Sequence, residues 1–173
     1  MACTSIIQGY EIDCLDSIGG VDTVYVTEFA NVPQANITET SGVITALSCS
    51  SGKKFWTIQL KKNLAQVDEK IVGSAENGTL YVEQTITFPL HKMTPALRHT
   101  LKTLSVNRLM FIVKDRNGLI KLYGQTTGCD IGDSTISTGK AMGDMNGATL
   151  TFTGMEPQLA SSLSSVILGT VTV

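Results

Sequence analysis

The stretch TLYVEQTITFPL, residues Thr79–Leu90, decides the fold class. Every second position is apolar except Gln84, and the apolar residues are Leu80, Val82, Ile86 and Phe88. The positions between them are Tyr81, Glu83, Thr85 and Thr87. Successive side chains of a strand point to opposite faces, so this pattern predicts a strand with one packed and one polar face. Pro89 has no N–H group to donate and is expected to end the ladder.

Short β-branched runs separated by glycine-containing turns continue this pattern. Further strands are predicted at Asp22–Ala30, Gly42–Ser48, Lys54–Lys62, Leu109–Lys114, Leu119–Gly124 and Ala148–Gly154. Thr94 followed by Pro95, with leucines at 97, 101 and 104, predicts one helix at about 94–106. The expected fold is mainly β: an antiparallel β-sandwich or barrel with that helix on its flank.

The length of 173 residues predicts a single domain. Residues 125–147 are rich in Gly, Ser, Thr and Asp and lack periodicity, so a long loop is expected there. The C-terminal end, 161–173, contains small and β-branched residues and is expected to be extended, adding one more strand.

The charge content bears on how the protein exists in solution. Charged residues make up 16% of the chain, against the usual share of about a quarter. A surface poor in charge is typical of a protein covered by copies of itself. The net charge of −2 argues against tight binding of nucleic acid. No apolar run is long enough for a membrane span, and the first residues do not resemble a secretory signal, so we expect a cytoplasmic product without membrane contact.

No constellation of residues predicts catalysis, a cofactor or a metal. Cys3, Cys14, Cys49 and Cys129 contain no C-x-x-C pair, so zinc is not expected and reduced thiols are. His91 and His99 have no evident catalytic partner. The segment from Gly132 to Lys140 lacks the spacing of a phosphate loop. Residues 144–147 lack the later oxygen ligands of a calcium loop, and a turn explains them better.

Three strands carry polar rows that are candidates for the wall of a channel. Trp56, Ile58 and Leu60 alternate with the first of these rows. The rows are Thr57, Gln59 and Lys61; Glu83, Thr85 and Thr87; and Thr149, Thr151 and Thr153. The pattern alone favours an ordinary solvent-facing side of a sandwich over a channel wall, and threonine suits both because it favours strands and stays hydrated.

Three segments resemble tail tube proteins and related virion structural proteins of tailed bacteriophages. They are GYEIDCLDSIGGVDTVYVTEF (Gly9–Phe29), the region Leu60–Phe88 with ENGTLYVEQTITF, and GKAMGDMNGATLTFTGMEP (Gly139–Pro157). The resemblance spans nearly the whole chain in order, although turn residues and alternating strands make up most of it.

This resemblance implies a structural, non-enzymatic subunit that forms stacked, commonly hexameric rings. The rings would build the tail tube, with DNA only as transient cargo, and with other phage tail or neck proteins as partners. The three polar rows would then be lumen-facing, and the segments Asn63–Gly78 and Gln125–Gly147 would be loops that contact neighbouring rings. The protein would be part of the virion, assembled in the host bacterial cytoplasm.

Alternative functions remain open. A neck, ring, tail-terminator or capsid decoration protein of the same virion would form a closed ring without stacking. A monomeric carbohydrate- or protein-binding sandwich would gather aromatic residues on exposed loops, whereas aromatics are 6% of this chain and fall mostly within strands. An enzyme would need a constellation that the sequence does not present.

Overall fold

The computed structural model describes Gly9 and residues 16–172, and strands dominate this part of the chain. The strands are β1 (Val21–Glu28), β2 (Ile37–Thr40), β3 (Val43–Leu47), β4 (Trp56–Gln59), β5 (Gln66–Ser74), β6 (Thr79–His91), β7 (Leu109–Asp115), β8 (Ile120–Tyr123), β9 (Asp130–Ile131), β10 (Thr135–Ser137), β11 (Gly147–Glu156) and β12 (Ser161–Leu163). The helices are α1 (Pro95–Val106) and α2 (Ser165–Val171).

The strands form two sheets. The first has the order β2-β3-β12-β8-β7-β1-β4, and the second has the order β10-β11-β6-β5 with β9 also paired to β11. All pairs of neighbours are antiparallel except β3 and β12, which are parallel. The prediction of a mainly β fold is confirmed. The expectation that Pro89 ends the ladder is wrong, because β6 continues to His91 and Pro89 pairs with Thr149 of β11. Neither sheet closes on itself, so the barrel alternative is wrong.

The two sheets pack face to face around an inner core centred on three phenylalanines. Phe88 of β6, Phe111 of β7 and Phe152 of β11 are fully buried. The Phe111 and Phe152 ring centroids are 4.9 Å apart, and the ring of Phe88 lies 5.9 Å from that of Phe152. Helix α1 closes one side of this core with Leu97, Leu101 and Leu104. The predicted helix is confirmed, and Thr94 caps it by accepting a hydrogen bond from the Leu97 amide at 3.2 Å.

A second core covers the opposite face of the first sheet. The five residues of β7 from Leu109 to Val113 are all buried, so this strand is apolar on both faces. Met110 and Ile112 point away from the second sheet. They pack in a cluster with Phe55, which directly precedes β4, and with apolar residues of β3 and α2 such as Ile44 and Leu168. Ser164 caps α2 by accepting from the Ile167 amide at 3.4 Å. This second helix corrects the expectation of one helix, because an exposed apolar sheet face must be covered.

Three expectations about connecting segments differ from the structure. The region Asn63–Gly78, expected as a loop, contains β5, which forms a hairpin with β6. The region 125–147 contains the short strands β9 and β10. Residues 161–173 are not one extended strand, because β12 gives way to α2 at Ser165, while Val173 lies outside the described residues. None of the helices within the described residues is long and apolar enough to cross a membrane.

Gly147 and Gly169 provide a matched test of the packing. A β-carbon at Gly147 would overlap the backbone carbonyl oxygen of Leu90, whereas one at Gly169 on α2 meets nothing within 4 Å. We expect Gly147→Ala to lower the free energy of unfolding by about 1–3 kcal/mol, as overpacking does. Gly169→Ala should raise it by about 0.5–1 kcal/mol, because alanine favours a helix. Urea denaturation measures both, and equal effects of the two substitutions would contradict the packing described.

Candidate functional site

The outer face of the second sheet carries a continuous patch of threonines, here called the threonine face. It consists of Thr85 and Thr87 on β6 and of Thr149, Thr151 and Thr153 on β11. Thr87 is paired with Thr151, and their hydroxyl oxygens are 3.3 Å apart. Thr85 is paired with Thr153. Two of the polar rows predicted from sequence therefore form one surface, and Glu83 continues it toward the start of β6.

The third polar row lies on the opposite side of the molecule. Thr57 is paired with Tyr25, and the Tyr25 side chain packs against the second core on the outer face of the first sheet. Gln59 shares that face with Thr57 because it is two residues along the same strand. Lys61 lies beyond the end of β4 and is exposed. No single surface carries all three rows, and the assignment of any row to a channel stays a prediction.

The distal part of the β5–β6 hairpin, residues 71–81, extends past the end of the neighbouring strand and is here called the arm. The pairing of β6 with β11 stops at Val82, so the arm is a two-stranded ribbon. Ile71 and Leu80 lie on its inner face, the face that Val82 buries nearer the core. Their side chains are 61% and 59% exposed. The arm therefore presents apolar side chains that nothing in the described chain covers.

A groove of about 1000 Å³ runs between α1 and β4 and is here called the α1–β4 groove. Val26, Ile58, Leu90, Leu97 and Leu104 supply its apolar lining. Trp56 also lines the groove and is 66% exposed. This exposure is unexpected, because strand alternation places Trp56 on the same face of β4 as Ile58, the face that packs against the core. It is exposed because β4 is the last strand of its sheet and the second sheet does not reach it. Lys53, Lys54 and His99 supply part of the polar lining, which also includes Glu28.

The most enclosed carboxylates have structural partners. Glu156 is 2% exposed and accepts hydrogen bonds from the backbone amides of Thr126 and Thr127 at 2.9–3.1 Å. Glu69 accepts from Lys121 Nζ at 2.9 Å and from the Tyr123 hydroxyl at 3.1 Å. Burial, together with the nearby Glu69 charge, raises the pKa of Tyr123, so this phenol remains a donor. Both carboxylates tie the second sheet to segments around β8.

The remaining ionisable candidates are also explained by local structure. Burial, followed by the charges of Glu156 and Asp130, raises the pKa of the Cys129 thiol to about 12, which keeps it protonated and unreactive. The Asp144 carboxylate accepts from the amides of Lys140 and Ala141 at 2.7 and 2.8 Å, which lowers its pKa and closes the turn at 141–144. Cys3 and Cys14 lie outside the described residues. Across Gly9 and residues 16–172, no three His, Cys, Asp or Glu side chains are grouped so as to hold a metal ion.

The arm and the α1–β4 groove are the two surfaces that the sequence patterns did not predict. Asn117-Gly118, between the predicted strands Leu109–Lys114 and Leu119–Gly124, is a strong hairpin signal in the sequence. Asn77-Gly78, directly before β6, is a signal of the same kind and identifies β5 and the arm. No local signal identifies the α1–β4 groove, because it depends on how far the second sheet extends over the first.

No protein-family model, curated protein or solved structure matches this chain. Its function is therefore inferred from the surfaces described above and from the sequence resemblance.

Proposed function

We propose that this chain is a structural protein whose copies assemble into stacked rings, forming the tail tube of a tailed bacteriophage. The arm is the observation that supports self-assembly most directly. Full burial of an Ile or Leu side chain contributes about 1.5–3 kcal/mol of stabilisation. Ile71 and Leu80 are exposed in one copy, so burying them against another copy would stabilise an assembly. A two-stranded ribbon is only marginally stable alone in water, so the arm is expected to be stabilised by packing against another surface.

The open ends of the two sheets provide further assembly surfaces. Within the described residues, β4 pairs only with β1, and β5 pairs only with β6. Exposed strand edges favour pairing with another chain. Because β4 and β5 are different surfaces of one subunit, joining them between copies gives a heterologous contact, which closes into a ring when the rotation permits.

The threonine face suits the lining of a tube that conducts DNA. It is polar and carries few charges, so it stays hydrated without holding phosphates in place. The phage assignment itself comes from the resemblance in Gly9–Phe29, Leu60–Phe88 and Gly139–Pro157. In this role the chain is not an enzyme and uses no cofactor. Its partners are its own copies and other tail or neck proteins, and its location is the virion after assembly in the bacterial cytoplasm.

The assembly state of the purified chain tests this proposal. We expect rings or hollow tubes of uniform bore in negative-stain micrographs, with a mass that rises with protein concentration. Single rings that never stack would favour a neck, terminator or decoration protein of the same virion. A monomer at every concentration, including after addition of preformed phage tail fragments as seeds, would contradict the proposal.

The opposite placement of Thr85, on the threonine face, and Thr170, on α2, gives a matched test of which face lines the bore. In assembled tubes, Thr85→Cys should react with a small maleimide but not with a maleimide on a polymer too bulky to enter the tube. Thr170→Cys should react with both reagents, because Thr170 is exposed on α2, which covers the outer face of the first sheet. The chain without an added cysteine supplies the background. The reverse pattern would place the outer face of the first sheet, which carries Thr57 and Gln59, in the bore instead.

A further inference from the structure

The α1–β4 groove lies between two segments of unusual charge. Residues 49–65 and 92–108 contain eight of the chain's 13 Lys and Arg residues and no Asp or Glu. These segments include β4 and α1, the two walls of the groove. The rest of the chain therefore holds all 15 acidic residues against five basic ones. Of these eight cations, Lys53 and Lys54 line the groove itself, and Glu28 lines it as well, so the lining keeps a net positive charge. An apolar groove of this kind suits a partner with apolar side chains and negative charge.

The β5–β6 hairpin has the complementary properties. Residues 66–87 contain four acidic residues and one basic residue, Lys70. Lys70 lies 4.0 Å from Glu83, so neither Asp68 nor Glu76 has a cationic partner in the described part of the chain. Glu76 lies in the turn at the tip of the arm, whose strands carry the exposed Ile71 and Leu80. The arm thus combines an apolar face with a carboxylate at its tip, Glu76, within a hairpin of net negative charge.

The arm of one copy cannot reach the α1–β4 groove of the same copy. Glu69, at the base of the arm, is bonded to Lys121 of β8 at 2.9 Å. In the first sheet, β7 and β1 lie between β8 and β4. Leu90, near the end of β6, lines the groove, whereas Leu80 of the arm lies near the start of the same strand, about 33 Å away along it. A contact between the arm and the groove must therefore join two copies.

We propose that the α1–β4 groove receives the arm of a second copy, with Ile71 and Leu80 packed against Trp56 and the apolar lining. This inference rests on the self-assembly proposed above and assigns the contact that drives it. Each copy contributes one arm and one groove, so the contact is head-to-tail and repeats from copy to copy.

Two complementary variants test the contact. Ile71→Asp with Leu80→Asp disables the arm and leaves the groove intact, whereas Trp56→Glu disables the groove and leaves the arm intact. Each variant alone should require an at least about tenfold higher concentration to assemble, as expected for loss of a central contact. Mixed together, they should form a one-to-one dimer that cannot grow, because only one arm and one groove remain functional.

The matched controls are Ile136→Asp, on the exposed edge of β10, and Val106→Glu, on the outer side of α1. Both control variants should assemble like the parent chain.

Trp56 also reports the contact directly, because it is the only tryptophan in the chain. In the mixture, the only Trp56 belongs to the arm variant, whose groove should be filled by the arm of the other variant. Its fluorescence should shift to shorter wavelength on mixing. Circular dichroism establishes that each variant is folded.

A second test uses charge and avoids apolar positions. Lys54→Glu and Glu76→Lys should each weaken assembly, and the two combined in one chain should restore it. Absence of restoration, together with absence of a dimer and of a fluorescence shift in the mixture, would overturn the proposed contact.

The outcomes separate this contact from the function proposed above. Normal tubes from the parent chain and from both variants would leave the tube assignment standing and overturn the contact. A mixed dimer from a chain that never forms rings or tubes would establish the contact and overturn the tube assignment.

Discussion

Strand β7 is buried on both faces, and the arrangement of the other layers depends on this constraint. Its inner side chains, with Phe111 at the centre, require the second sheet as a cover. Its outer side chains, Met110 and Ile112, require another cover, which α2 and the β3 region supply. Both covers are centred on β7 and β8. The groove side of β4 and the arm are left outside them, so the packing that stabilises the centre of the molecule also leaves its ends available for contacts.

Self-assembly follows from this uneven coverage more directly than from any single residue. The apolar arm and the apolar groove lie at opposite ends of β6, and the segments that carry them have charges of opposite sign. Burying the exposed apolar area in another copy lowers the free energy of the assembly, and the segregated charge orients the two copies. The low overall charge of the chain conceals this segregation, because the basic and acidic segments nearly cancel in the sum.

Local patterns predicted much of the fold. Alternation identified β6, the Asn-Gly turn identified the β7–β8 hairpin, and Thr94-Pro95 with spaced leucines identified α1. The second helix could not be predicted in this way, because residues 165–171 include β-branched side chains and become helical where they cover Met110 and Ile112. Alternation likewise showed that Thr57 and Thr85 face away from a core, but not that they lie on opposite surfaces. The exposure of Trp56 depends on the extent of the other sheet, which no local pattern encodes.

Backbone hydrogen exchange at low and high protein concentration tests most directly whether copies of the chain cover the arm and the free edge of β4. The backbone amides of residues 56–59 and 71–81 should exchange rapidly at low protein concentration and become protected when the copies assemble. The amides of β7 should be protected equally under both conditions, because this strand is already central in one copy. Exchange at the arm and at β4 that stays rapid in assembled particles would contradict the account.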